Sequence, residues 1–130
     1  MRLAIVGSRS FNDYPSFEKE ILDNIDISNV TEIISGGAVG TDRLAEIFAD
    51  KYNIPIKILS PDWKRYGKRA GIVRNIDIVK EAELVFAFWD GVSKGTSFDI
   101  REAIKRNVCL RVFEKIEGLK GGIRVNQIEF

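Results

Sequence analysis

The sequence predicts an α/β domain built on a doubly wound parallel sheet with strand order 3-2-1-4-5. Three observations lead there. Short apolar runs alternate with amphipathic stretches of about three helical turns along the chain, and parallel strands need such crossovers between them. The apolar runs are continuous, as in strands buried on both faces. Glycine-rich segments follow the first, second and fourth runs, at the carboxyl edge, where such sheets place ligands at the switch in strand order.

Arg2 to Val6, stopped by Gly7, reads as the first strand. From Pro15 to about Ile27, Phe17, Ile21, Leu22 and Ile25 recur at helical spacing, and Pro15 suits a first turn. Val30 to Ser35 is the second strand, and Asp42 to Tyr52 a helix with Leu44, Ala45, Ile47 and Phe48 on one face. Ile54 to Leu59, entered through Pro55, is the third strand. Ser60 to Gly71 mixes Pro61, Trp63, Tyr66 and Gly67 with Lys64, Arg65, Lys68 and Arg69, and reads as irregular. A helix follows to about Glu81, with Ile72, Val73, Ile76 and Val79 inward. Leu84 to Trp89, the most hydrophobic run, belongs at the sheet's centre. Gly91 and Gly95 bracket a turn, and Thr96 with Asp99 has capping-box spacing for a helix to about Arg106. Val108 to Phe113 is the fifth strand; Gly118, Gly121 and Gly122 form a flexible link, and Ile123 to Phe130 alternates like an added edge strand.

Composition narrows the chemistry. The 130 residues suit one domain, residues 1–130. Twenty Lys and Arg against 19 Asp and Glu leave a net charge of +1, too little to gather nucleic acid or a membrane at long range. There is no histidine, which removes histidine triads and histidine-bound metals. The one cysteine, Cys109, lies in an apolar run and reads as a buried structural thiol. The chain shows no signal-peptide pattern and no run long enough to span a bilayer, so a cytoplasmic location is expected.

The loops carry the functional signal. Gly36, Gly37, Ala38, Val39, Gly40 and Thr41 lead into a helix whose N-terminus offers unpaired N–H groups and partial positive charge. Three glycines in five positions allow a tight turn and a close approach by phosphate, and Thr41 can cap the helix or bond a phosphate oxygen. No Lys follows Gly40, so this is not a P-loop, and no dinucleotide fingerprint follows the first strand. Gly95 and Thr96 look like a second such device, and Gly7, Ser8 and Arg9 sit beside the switch point, with Arg9 placed for an anion. Arg69, Arg74 and Asn75 form a further clamp; Trp63 and Trp89 are candidates to stack on a base. Asp42 and Asp90 are the carboxylates nearest the expected pocket, able to accept from a ribose or activate water. No metal site or cofactor is evident, though magnesium could accompany a phosphate.

Taken together, Gly7-Ser8-Arg9, Ser35-Gly36-Gly37-Ala38 with Gly40-Thr41-Asp42, Lys68-Arg69-Ala70-Gly71 with Arg74-Asn75, and Trp89-Asp90-Gly91 with Lys94-Gly95-Thr96 resemble the SLOG superfamily. The resemblance is nearest to its YspA/YpsA-related (YAcAr-type) branch and covers Met1 to about Phe113. It implies a Rossmann-like sheet and binding of a nucleotide or nucleotide-derived small molecule, often by sensors or processors of such ligands. The Lonely Guy phosphoribohydrolases, more distant relatives, carry Pro-Gly-Gly-x-Gly-Thr-x-x-Glu. Here Ser35 stands at the proline and, with two residues (Ala38 and Val39) where the motif has one, Leu44, which cannot exchange a proton, stands at the catalytic glutamate.

The leading expectation is therefore a binding or sensing domain for a nucleotide-derived ligand. The alternative is an N-glycosidic hydrolase using Asp42 or Asp90. A single-stranded nucleic-acid module, as among DNA-processing relatives, is disfavoured by the near-neutral charge. Exposed edge strands and the resemblance suggest a homo-oligomer.

Overall fold

A computed structural model describes residues 1–115 and 123–128, the last segment and Lys115 as backbone alone. The four apolar β-branched and aliphatic residues after Arg2 build β1 (Arg2–Gly7). Asp13 then caps α1 (Tyr14–Asn24), accepting from Ser16 N–H, with Pro15 in the first turn where its missing N–H costs nothing. The helix ends before the periodicity does: Ile25 is extended, and Asp26 caps a separate 3₁₀ turn over Ile27–Asn29. β2 (Glu32–Ser35), α2 (Thr41–Lys51) and β3 (Ile56–Ile58) follow. β3 is shorter than the apolar run, because it is an edge strand paired only with β2 and its Lys57 and Ile58 are exposed.

The segment expected to be irregular is partly helical. Asp62 accepts from Arg65 N–H and caps α3 (Trp63–Tyr66), and a 3₁₀ turn over Gly67–Arg69 leads into α4 (Ala70–Glu81). Pro61 and Gly67 read as breakers, but one precedes the cap and the other, at φ 55°, closes the short helix. After β4 (Leu84–Trp89), α5 (Lys94–Lys105) starts three residues earlier than the expected cap at Thr96 implies. The capping box does not form: Ser93 occupies the cap, and Thr96 and Asp99 lie inside the helix, both buried. β5 (Cys109–Lys115) and β6 (Ile123–Ile128) complete the sheet. Cys109 is half-buried at the start of β5. Gly118, Gly121 and Gly122 lie outside the described residues.

The sheet order is β3-β2-β1-β4-β5-β6. The first five strands are parallel, in the expected order 3-2-1-4-5, and β6 joins β5 antiparallel as the added edge strand. Alternate residues of each central strand feed opposite faces. Leu3, Ile5, Phe86 and Phe88 meet Phe17, Ile21 and Phe48 of α1 and α2, whereas Ala4, Val6, Val85 and Ala87 meet Ile78, Val79 and Ala103 of α4 and α5. The first face is aromatic, with Phe88 stacked on Phe113 at 4.6 Å and Phe17 at 4.7 Å from Phe88. These two filled layers fix the β1 and β4 termini side by side, which is where the loops converge.

Candidate functional site

A cavity of about 780 Å³ opens at the carboxyl ends of β1 and β4, between α4 and α5. Among the sequence candidates, Gly7, Ser8, Arg9, Gly36, Ala38, Asp42, Arg74, Asn75, Asp90, Gly95 and Thr96 line it. Gly37, Gly40, Thr41, Arg69 and Trp89 do not.

The second-strand loop explains much of that division. Gly40 has φ 71°, and a Cβ there would stand 2.3 Å from the Arg9 carbonyl oxygen. Its glycine is thus required by the packing of two loops. Thr41 is fully buried and donates through Oγ1 to Ser8 O at 3.0 Å, with its N–H aimed at the same oxygen. Its hydroxyl therefore ties loop to loop instead of facing a ligand. Ala38 N–H donates to Asp42 Oδ2 at 3.0 Å, so the first-turn carboxylate of α2 holds the loop that precedes the helix.

The fourth-strand loop is arranged differently. Asp90 accepts four hydrogen bonds, from Val92 and Ser93 N–H at 2.9 and 2.7 Å and from the hydroxyls of Ser93 and Ser10 at 2.7 and 3.2 Å. Burial alone would raise its pKa, but these bonds outweigh that and hold it at about 2. Its own N–H donates to Ser8 Oγ. Asp90 is thereby an anchor between the β1 and β4 loops and has little basicity left for activating water. Trp89 donates through its indole N–H to Ser93 O and packs on the α4/α5 core face, which removes it as a base-stacking platform. Asp90 satisfies Val92 and Ser93, and the first turn of α5 that follows, Lys94, Gly95 and Thr96, lines the cavity and has no helical acceptors for its N–H groups. A Cβ on Gly95 would meet nothing within 4 Å. That helix start is open where the α2 start is closed.

The cavity floor is charged. Arg74 donates from Nη1 to Gly36 O at 2.8 Å and from Nε to Asn75 Oδ1 at 2.8 Å, so it is held by the protein before any ligand arrives. Gly36 makes room for it: a Cβ would lie 2.8 Å from Arg74 Nη1 and 3.1 Å from Asp42 Oδ2. Burial raises the Asp42 pKa, opposed by the Ala38 N–H and the Arg74 charge. Asp99 completes the floor; burial first, then the neighbouring Asp42 charge, push its carboxyl up to about 7 against the pull of Arg74. Sequence reasoning missed Asp99 as a site residue because its spacing from Thr96 suggested a cap. Lys68, Lys94 and Arg101 are further cationic lining residues, and Trp63, 61% exposed, stands with Ile72 at the rim. The position of the family hydrolases' glutamate, Leu44, is buried in the core on the other face of α2. Among the described residues, no group of three or more Asp, Glu or Cys is placed to hold a metal ion, and no helix is long and apolar enough to cross a membrane.

Comparison with known proteins agrees with the fold. The structure is similar to DNA processing protein A from Helicobacter pylori, with a TM-score of 0.66 at 21% identity. The match covers 86% of this chain and 64% of that one, in a structure describing the neighbour's single-stranded DNA binding mode. The chain thus spans somewhat under two thirds of that neighbour and shares its fold. In sequence it is 32% identical over 114 residues to the Gene 61 protein of Mycobacterium phage D29, covering 82% of this chain and 91% of that protein. The model of the YspA, cpYpsA-related SLOG family matches residues 1–66, including β1, β2 and both of their loops. The chain belongs to the YspA, cpYpsA-related SLOG family.

Proposed function

We propose that this protein binds a phosphate-bearing, nucleotide-derived small molecule in the cavity at the β1/β4 switch point, as a binding or sensing domain. The observation that carries the reading is the open first turn of α5 at Lys94, Gly95 and Thr96, facing a cavity also lined by Arg9, Lys68 and Arg101. Backbone N–H groups and the helix dipole favour an anion there, and the cations add charge-assisted bonds. The volume suits a nucleotide-sized ligand. Thermal-shift screening against nucleotides, cyclic nucleotides, ADP-ribose and NAD, with and without magnesium, tests it. A ligand at a hundred times its dissociation constant stabilises the fold by about 2.7 kcal/mol. Gly95→Leu, which fills the open space, should abolish the shift while leaving the protein folded. A flat response from the folded native protein would sink the reading.

A second reading, binding of single-stranded nucleic acid, is favoured by one feature besides the structural neighbour. The exposed Trp63 lies among Lys64, Arg65 and Lys68 at the rim, a pairing of aromatic and basic groups suited to stacking and backbone contact. The net charge of +1 counts against it. Salt-dependent binding of an oligonucleotide, lost in Trp63→Ala and retained in Gly95→Leu, would favour it over the small-ligand reading.

A further inference from the structure

The cavity floor contains a group that phosphate binding leaves unused. Asp99, on the second turn of α5, is 6% exposed, lines the cavity, and has its Oδ1 buried without a hydrogen-bond partner. Buried carboxylate oxygens are costly when unpaired, so a site that keeps one is a site suited to a donor supplied from outside the chain. Asp42 faces the same floor, and Arg74, the nearby cation, already spends Nη1 and Nε on Gly36 and Asn75. The donors that the chain itself holds nearby, the Ser35 hydroxyl and the remaining Arg74 N–H groups, leave Asp99 Oδ1 unpaired.

The three parts of the cavity differ in what they attract. The α5 N-terminus and the cations around it suit an anion, which two carboxyls on the floor would repel. The apolar rim of Trp63 and Ile72 suits a planar ring. The floor between them suits a neutral group rich in O–H donors.

We propose that Asp99, with Asp42 beside it, reads the hydroxyls of a ribose, so that the ligand is a ribonucleotide rather than its deoxy counterpart. This rests on the nucleotide reading above and assigns its sugar subsite. Asp99 is in this respect a specificity-determining residue, with the phosphate held elsewhere.

The test is calorimetric titration of the native protein, Asp99→Asn and Asp99→Ala with the ribo- and 2′-deoxyribonucleoside 5′-monophosphates, ribose 5-phosphate and inorganic phosphate. The native protein should favour each ribonucleotide it binds over its deoxy form by about 10- to 100-fold, the range of one hydrogen bond to a charged group. In Asp99→Ala that ratio should fall to within about threefold, with phosphate bound no more weakly than by the native protein. Circular dichroism and urea melts confirm that each variant is folded, and Asp99→Leu, of similar size and without an acceptor, serves where Asp99→Ala does not fold. Equal binding of the ribo and deoxy forms by the native protein overturns this inference while leaving the nucleotide reading intact. So does a preference that survives in a folded variant with no acceptor at position 99. Failure of every nucleotide and sugar phosphate to bind overturns both.

Discussion

Replacing Asp99 with asparagine isolates the most perturbed carboxyl of the cavity. Burial and the adjacent Asp42 raise it from 3.8 to about 7 in the folded chain. A raised acid holds its proton in the native state longer than in the unfolded one, so stability falls as pH rises between the two values. Below the unfolded value the effect vanishes; above about 7 it is complete, at about 4 kcal/mol of destabilisation for that gap. Between pH 5 and pH 8 the native protein should lose about 2–3 kcal/mol from this group alone. Asparagine keeps the shape and removes the titration. The charged groups that act on Asp99 are Asp42 on α2 and Arg74 on α4, while Arg9, Lys68, Lys94 and Arg101 line the same cavity. Asp90 contributes no slope in that range, since its native and unfolded values both lie well below pH 5. Urea unfolding at pH 5, 6, 7 and 8 measures the difference. The native and Asp99→Asn curves should diverge with pH, the variant becoming the more stable at pH 8. Parallel curves would show that Asp99 is solvated or paired, and would remove the basis for an unsatisfied acid on the floor.

Other substitutions separate packing from binding. Gly95→Ala adds a Cβ in open space within a helix, and should stabilise the fold by about 0.5–1 kcal/mol in a urea melt. Gly40→Ala meets both a positive φ and the Arg9 backbone, and should cost about 2 kcal/mol or more, read as a lower urea midpoint. Asp90→Ala frees the Val92 and Ser93 N–H groups and unties Ser10, and should cost about 1–2 kcal/mol by the same measurement. If the N-glycosidic hydrolase alternative were right, free base would accumulate over many turnovers and disappear in Asp42→Asn; no such release is expected of a binding domain.

The fold was legible from the chain because its determinants are local and repeated. Four apolar residues before Gly7, six from Leu84 to Trp89, and amphipathic stretches between such runs leave few topologies besides a parallel sheet. Boundaries were less legible where a side chain three residues away decides them. Asp62 caps α3 through the Arg65 N–H, and Asp90 turns the chain ahead of α5 through the Val92 and Ser93 N–H groups; neither pattern stands out among polar loop residues. For the cavity, glycine content marked the correct sheet edge but not the role of each loop. The glycines after β2 serve loop packing at Gly40 and room for Arg74 at Gly36, contacts across more than thirty residues that no local pattern reports. Asp99 was invisible for the same reason: its meaning comes from Asp42 and Arg74, on two other helices.

Gly95→Leu, compared with the native protein in a calorimetric nucleotide titration, tests the binding claim most directly. A Cβ there meets nothing within 4 Å, so the added side chain starts in open space at the α5 N-terminus. Saturable binding by the native protein, lost in a variant that still unfolds cooperatively, is the expected result. Undiminished affinity in that variant would place the ligand elsewhere on the protein and contradict the assignment of the cavity.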